Sequence, residues 1–350
     1  MSHASFSIIE GQYLKDILDQ PRALRATLET LRASQGVAGK IAEIQQLGHA
    51  RIVLTGMGSS LHALYPLELI LTAHGETVCR IETSELIHSM PSLLRSDSIV
   101  LAVSQSGQSA ELVSLLRENK GRASVIGITN SKDSPLDLES NLTILTHCGP
   151  EFSVSAKTYV AALLALEVFG ALWCGTDLTK AYSELQNVPE FFSRYLEGMF
   201  EHVKSVANAV EGVSKLFILG RGRSLASAET GALILKESTR SFAEAMSSAS
   251  FRHGPVEALD KDTLVLVFDG DAGTRELNRK LVREIRERGR RAELIGPGAE
   301  IAAFRLPDGL GNSLPLLEIL PIQVLTLALA ARTGFEAGRF EHATKITEVE

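Results

Sequence analysis

Ser98-Ile99-Val100-Leu101-Ala102-Val103-Ser104-Gln105-Ser106-Gly107-Gln108-Ser109-Ala110-Glu111 reads as a buried strand, a tight polar loop and the opening of a helix. The apolar run 98–103 is that of a parallel strand covered on both faces. After it come small hydroxyl residues, Gly107 for a sharp turn, and the helical spacing of Leu112 to Asn119. A helix start reached this way presents unpaired N–H groups and the positive end of its dipole to an anion. The loop has no lysine, so it lacks the Gly-x-x-x-x-Gly-Lys-Ser/Thr pattern of a nucleotide P-loop. It predicts a cradle for one phosphate on a small molecule, although a serine-rich turn that merely caps a helix has the same local sequence.

Working outward, short β-branched runs alternate with helical patterns. Arg51 to Thr55, Thr77 to Ile81, Ser98 to Val103, Ser124 to Ile128 and Leu142 to Thr146 read as strands of one parallel sheet. The pattern recurs at Lys215 to Leu219, Thr263 to Phe268, Arg291 to Ile295 and Ala303 to Leu306, with helices near Ala226 to Ser238 and Arg275 to Arg288. The turns repeat as well: Thr55-Gly56-Met57-Gly58-Ser59-Ser60 and Leu219-Gly220-Arg221-Gly222-Arg223-Ser224 each follow a first strand. Leu61 and Leu225 stand where a dinucleotide fingerprint needs its third glycine, which disfavours a nicotinamide cofactor. No cofactor is expected. The region from Ala156 to Gly212 is mostly helical, and Gly11 to Arg32 has the spacing of a helical arm interrupted by Pro21.

The 350 residues suffice for two domains, and 45% apolar, 22% charged and 5% aromatic residues are ordinary for a soluble α/β protein. A net charge of −7 and a pI near 5.8 leave no basic footprint for nucleic acid. Cys79, Cys148 and Cys174 show neither metal spacing nor pairing and read as free thiols in a reducing cytoplasm. No metal site is expected. Met1 to Phe6 does not have the form of a signal peptide, and Leu314 to Ala331, broken by Pro315, Glu318, Pro321 and Gln323, reads as a buried helix too short for a bilayer. No membrane partner is expected.

The Ser-Gln-Ser-Gly loop, the duplicated Gly-x-Gly halves, Lys236-Glu237 and His253-Gly254-Pro255 together resemble the sugar isomerase (SIS) family, and more narrowly the isomerase module of aminotransferases that make glucosamine 6-phosphate. The likeness runs from Tyr13-Leu14-Lys15-Asp16-Ile17-Leu18-Asp19-Gln20-Pro21 to Lys345-Ile346-Thr347-Glu348-Val349-Glu350. It implies an α/β chain of two tandem SIS domains, each a five-stranded parallel sheet flanked by helices, Rossmann-like and of flavodoxin type. The domains expected are a helical arm 1–48, a first SIS domain 49–180, a helical connection 181–212, a second SIS domain 213–335 and a tail 336–350 that closes the active site. Three departures stand out. No glutaminase domain precedes residue 1, so glutamine is not expected as the nitrogen donor; Ile234 replaces a lysine; and Val154-Ser155-Ala156-Lys157-Thr158 is one residue short of the family pattern.

Moving a carbonyl between C1 and C2 of a sugar phosphate needs a base for the carbon-bound proton, a group that opens the ring and a stabiliser of the intermediate. The resemblance assigns these to Glu237, to His253 supplied across a homodimer interface, and to Lys345 in the tail, which meets the open-chain carbonyl as a Schiff base or as a hydrogen-bonding cation. Taken alone, Lys236-Glu237 also reads as an ion pair at a helix end, His253 as a surface residue and Lys345 as a solvated tail lysine. The resemblance further implies substrate contacts at Gly58, Ser59, Ser60, Ser104, Gln105, Ser106, Ser109, Val154, Ser155 and Thr344, while the role of Glu244 stays open. The expected partner is a sugar phosphate. The expected reaction converts an amino-sugar 6-phosphate, glucosamine 6-phosphate above all, to a ketose 6-phosphate and ammonia. Alternatives are aldose–ketose isomerisation, deglycation of a fructosyl-amine 6-phosphate, and a non-catalytic sugar-phosphate sensor.

Overall fold

A computed structural model describes residues 6–34, 36–342 and 344–345. Residues 1–5 and the tail residues 346–350, both discussed above, lie outside this set. Among the described residues the chain forms two units, one from residues 20–151, 156–189 and 342–345, the other from residues 6–19, 152–155 and 190–341.

In the first unit the strands are β1 (Arg51–Gly56), β2 (Val78–Glu82), β3 (Ser98–Val103), β4 (Ser124–Thr129) and β5 (Leu142–Leu145). They pair in parallel in the order β2-β1-β3-β4-β5, the flavodoxin-type arrangement expected for this half. β3 is buried along its whole length, as its unbroken apolar run requires. Val53, Leu86, Val100, Leu115, Val125 and Leu136 form a core on one face of the sheet. Burying each such aliphatic side chain contributes about 1.5–3 kcal/mol.

In the second unit β6 (Lys215–Gly220), β7 (Phe242–Ser247), β8 (Thr263–Phe268) and β9 (Arg291–Ile295) pair in parallel in the order β7-β6-β8-β9. This sheet has four strands, not the five expected. Ala303 to Leu306, read as a strand, instead contains the 3-10 turn Ala302–Phe304, in which the Phe304 N–H reaches back to Ile301 O. Ala303, Phe304 and Leu306 are buried, and two backbone bonds to Gly296, from the Gly296 N–H to Phe304 O (2.9 Å) and from the Leu306 N–H to Gly296 O (3.3 Å), hold the segment without extending the sheet. β7 was not anticipated, because Phe-Ala-Glu-Ala-Met-Ser carries little β-propensity and forms an edge.

The span expected as an arm holds three α-helices, Gln12–Leu18, Gln20–Ala33 and Val37–Gln46, with Pro21 at the second position of the second, where its missing N–H costs nothing. The apolar helix Leu314–Thr333 has 20 residues, long enough for a bilayer contrary to expectation, yet residues 314–331 are all buried in protein.

Candidate functional site

β1 and β3 are neighbours, with Gly56 opposite Val103, and the chain leaves them toward opposite edges of the sheet. Their carboxyl ends are therefore the switch point of the sheet, the position where open α/β sheets bind ligands. Two of the expected segments lie there. After β1, Gly58 turns with φ +50° and the helix Ser59–Ala73 begins; Ser59 Oγ is buried with no hydrogen-bond partner among the described residues. After β3 comes the loop Ser104 to Ser109.

That loop is held from several sides. The Ser104 N–H donates to Ile128 O (3.1 Å), the Gly107 N–H to Ser104 Oγ (3.2 Å) and the Gln108 N–H to Ser106 Oγ (3.3 Å). Both hydroxyls act as acceptors in these bonds and keep an O–H to give. Gln105 O receives the Asn130 N–H (3.1 Å) and Thr129 Oγ1 (3.2 Å). Gly107 sits at φ +65°, and a Cβ there would meet Ser134 Oγ at 2.1 Å and Ser134 Cβ at 2.7 Å, so only glycine fits. Ser109 begins the Ala110–Asn119 helix without a side-chain cap, which leaves the first-turn N–H groups to an incoming anion. Glu111, buried in that first turn with Oε2 unpartnered, already complements the helix dipole.

Glucosamine 6-phosphate should therefore raise the melting temperature while glucosamine at equal concentration does not, since hydrogen bonds to a charged group are worth about 1.5–3 kcal/mol each. Gly107→Val should abolish the response. Equal stabilisation by both sugars in a thermal-shift assay would overturn the cradle.

The same unit holds a residue that sequence reasoning passed over. The Glu151 side chain is fully buried; Oε1 accepts the N–H groups of Ala156 (3.0 Å) and Thr158 (3.1 Å), and Oε2 accepts Thr158 Oγ1 and Lys345 Nζ, both at 2.6 Å. The carboxylate caps the helix Lys157–Trp173 and holds the tail lysine. Thr344 beside it is exposed, Val154 is buried and Ser155 half-buried.

In the other unit Glu237 lies half-buried near the end of the helix Ser224–Thr239. Ser238 O accepts the Gly338 N–H (3.2 Å), and Arg240 stacks on Phe335 (4.0 Å) and pairs with Glu341. The end of the Glu237 helix is thereby fastened to the start of the tail. His253 is exposed in a turn after the helix Ser248–Phe251, its N–H donating to Ser250 O. Glu244 is exposed on edge strand β7, and Ile234 is fully buried.

Compared with known families, residues 48–172 and 211–296, more than half of the chain, match the SIS domain. This chain belongs to the SIS family. It is 29% identical over 352 residues to a glutamine–fructose-6-phosphate aminotransferase (isomerizing) of Pyrococcus horikoshii, covering 96% of this chain and 57% of that enzyme. The chain thus spans little more than half of the relative's length. Its fold is that of the C-terminal domain of glucosamine-fructose-6-phosphate aminotransferase from Francisella tularensis (TM-score 0.82, 23% identity, 97% and 98% of the two chains). It is likewise that of glucosamine-6-phosphate deaminase from Thermotoga maritima (TM-score 0.78, 21% identity, 97% and 100%).

The two SIS halves differ at their switch points. β6 and β8 are neighbours as β1 and β3 are, but the loop after β8 is Asp269-Gly270-Asp271. Asp269, fully buried, takes Arg279 Nε (2.8 Å) and Nη2 (2.7 Å) and the Gly298 N–H (2.9 Å), and Asp271 takes Arg223 Nη2 (2.7 Å). Ser224 Oγ donates to Glu318, whose carboxyl burial pushes up to about 8, so it is protonated at neutral pH. Carboxylates paired with their own arginines stand here where the first half has hydroxyls. Among the described residues only the first SIS half offers the serine-lined cradle.

Proposed function

We propose that this SIS protein is a phosphosugar isomerase of the deaminating kind, converting glucosamine 6-phosphate and water to fructose 6-phosphate and ammonia. The observation that carries the reading is a serine-lined loop at an uncapped helix start and a pinned amine, Lys345, in the same unit. A sugar-phosphate sensor needs the first and has no use for the second. The names of the Pyrococcus and Thermotoga proteins supply the chemistry on this fold.

In this reading Ser104, Gln105, Ser106, Ser109 and the first-turn N–H groups hold the phosphate, with Gly58, Ser59, Ser60, Val154, Ser155 and Thr344 about the sugar. His253 moves a proton from O1 to the ring oxygen and opens the ring. Glu237 takes the proton from C2 and returns it to C1 while one amine proton passes to O1, so that the C1 aldehyde becomes an alcohol and the C2 amine an imine. Water adds at C2 and ammonia leaves. Lys345 meets the open-chain carbonyl at C1, where its charge stabilises the oxygen as electrons move onto it. His253 is contributed across a homodimer interface, in keeping with its exposure in one chain.

The test is a panel of hexosamine, hexose and fructosyl-amine 6-phosphates, with their unphosphorylated forms, scored for ammonia, ketose phosphate and free amine. Ammonia and ketose phosphate from glucosamine 6-phosphate alone are expected. Interconversion of aldose and ketose phosphates without amine release would make it a plain isomerase, release of an amino acid would make it a deglycase, and binding without any turnover would make it a sensor.

A further inference from the structure

We propose that Glu151 is the positioning residue of Lys345, tying the tail amine to the frame that shapes the phosphate loop. The proposal rests on the reading of Lys345 as the amine that meets the sugar carbonyl. A carboxylate whose side chain is 0% exposed must be paired, and Glu151 divides the task between its two oxygens. Oε1 serves the helix start through the N–H groups of Ala156 and Thr158; Oε2 serves Thr158 Oγ1 and Lys345 Nζ. The lysine is 194 residues further along the chain, so no local segment holds it there. A lysine side chain otherwise has many rotamers to lose, and fixing it before substrate arrives removes that cost from the reaction.

Glu151 is itself placed from the phosphate loop. Asn130 donates its backbone N–H to Gln105 O (3.1 Å), accepts the Cys148 N–H (2.9 Å) and Thr146 Oγ1 (3.1 Å) on Oδ1, and donates Nδ2 to Gly149 O (2.8 Å). Only Pro150 separates Gly149 from Glu151. The run from Gln105 through Asn130 and Gly149 to Glu151 lies within one unit and sets the amine relative to the loop.

The experiment measures kcat and KM for glucosamine 6-phosphate in Glu151→Gln, Lys345→Ala, the double variant and Thr158→Val, and the rate at which Lys-C protease cuts after Lys345 in the wild type, Glu151→Gln and Thr158→Val. Lys345→Ala should lower kcat roughly 10²–10³-fold and Glu151→Gln roughly 10–10²-fold, with KM within about twofold. The double variant should match Lys345→Ala alone, because Glu151 acts through the lysine. Glu151→Gln should speed cleavage after Lys345, and Thr158→Val, which takes from Glu151 Oε2 the other of its two side-chain donors, should lower thermal stability and speed cleavage less. Glu151→Asp, which keeps the charge and shortens its reach, should show the same effects in weaker form if the glutamine variant does not fold. Losses that multiply in the double variant, or Glu151 variants with wild-type kcat and cleavage, would overturn the proposal. Full turnover by Lys345→Ala would instead bring down the reading of Lys345 itself.

Discussion

Glu237→Gln is expected to lose turnover of glucosamine 6-phosphate by roughly 10²–10⁴-fold, the contribution of a positioned proton-transfer group, while binding the substrate within about twofold of wild type. The substitution keeps the shape of the side chain and removes its basicity. Glu237 is half-buried near the end of a long helix whose neighbours Ile234, Leu235 and Ser238 are buried. The phosphate loop belongs to the other unit and is untouched. The thermal shift with glucosamine 6-phosphate should therefore persist when turnover is gone. Near-wild-type kcat in this variant would make Glu237 structural and remove the proposed base.

Mixing an inactive His253→Ala protein with an inactive Lys345→Ala protein is expected to restore activity. If His253 is supplied by one chain of a dimer and Lys345 by the other, a mixed dimer has one site with both groups intact and one with neither. Random exchange of subunits makes about half of the dimers mixed, so recovery should approach about a quarter of the wild-type rate. The two residues differ as this requires: His253 is exposed in its turn, and Lys345 is engaged by Glu151 of its own chain. Mixtures shown by mass spectrometry to exchange subunits, yet still inactive, would mean that both residues serve one chain's own site or that one of them is not catalytic.

The features legible in the sequence are those written in short stretches of chain. β3 declares itself because a strand buried on both faces must be apolar throughout, and the loop after it because tight turning and exposed N–H groups demand glycine and small hydroxyls. β7 was illegible because alanine and glutamate on an edge strand are ordered by Lys215–Gly220 beside them, with no pattern of their own. Ala303 and Phe304 misled for the opposite reason, since an apolar pair can be buried without being in a sheet. Glu151 was missed because its meaning is a contact: Pro150-Glu151-Phe152 carries no motif, and Lys345 is brought to it only by the fold. Asp269 and Asp271, paired with arginines after β8, were passed over in the same way; the hint was a loop after β8 with acids where the loop after β3 has serines.

The most direct test of the central claim is the balance of products from glucosamine 6-phosphate in a single vessel, measured for the wild type and for Glu237→Gln. The account predicts one ammonia and one fructose 6-phosphate for each glucosamine 6-phosphate consumed by the wild type, none from unphosphorylated glucosamine, and almost none from the variant. Ammonia formed without fructose 6-phosphate, equal turnover of glucosamine, or no conversion of the phosphorylated sugar at all would contradict it.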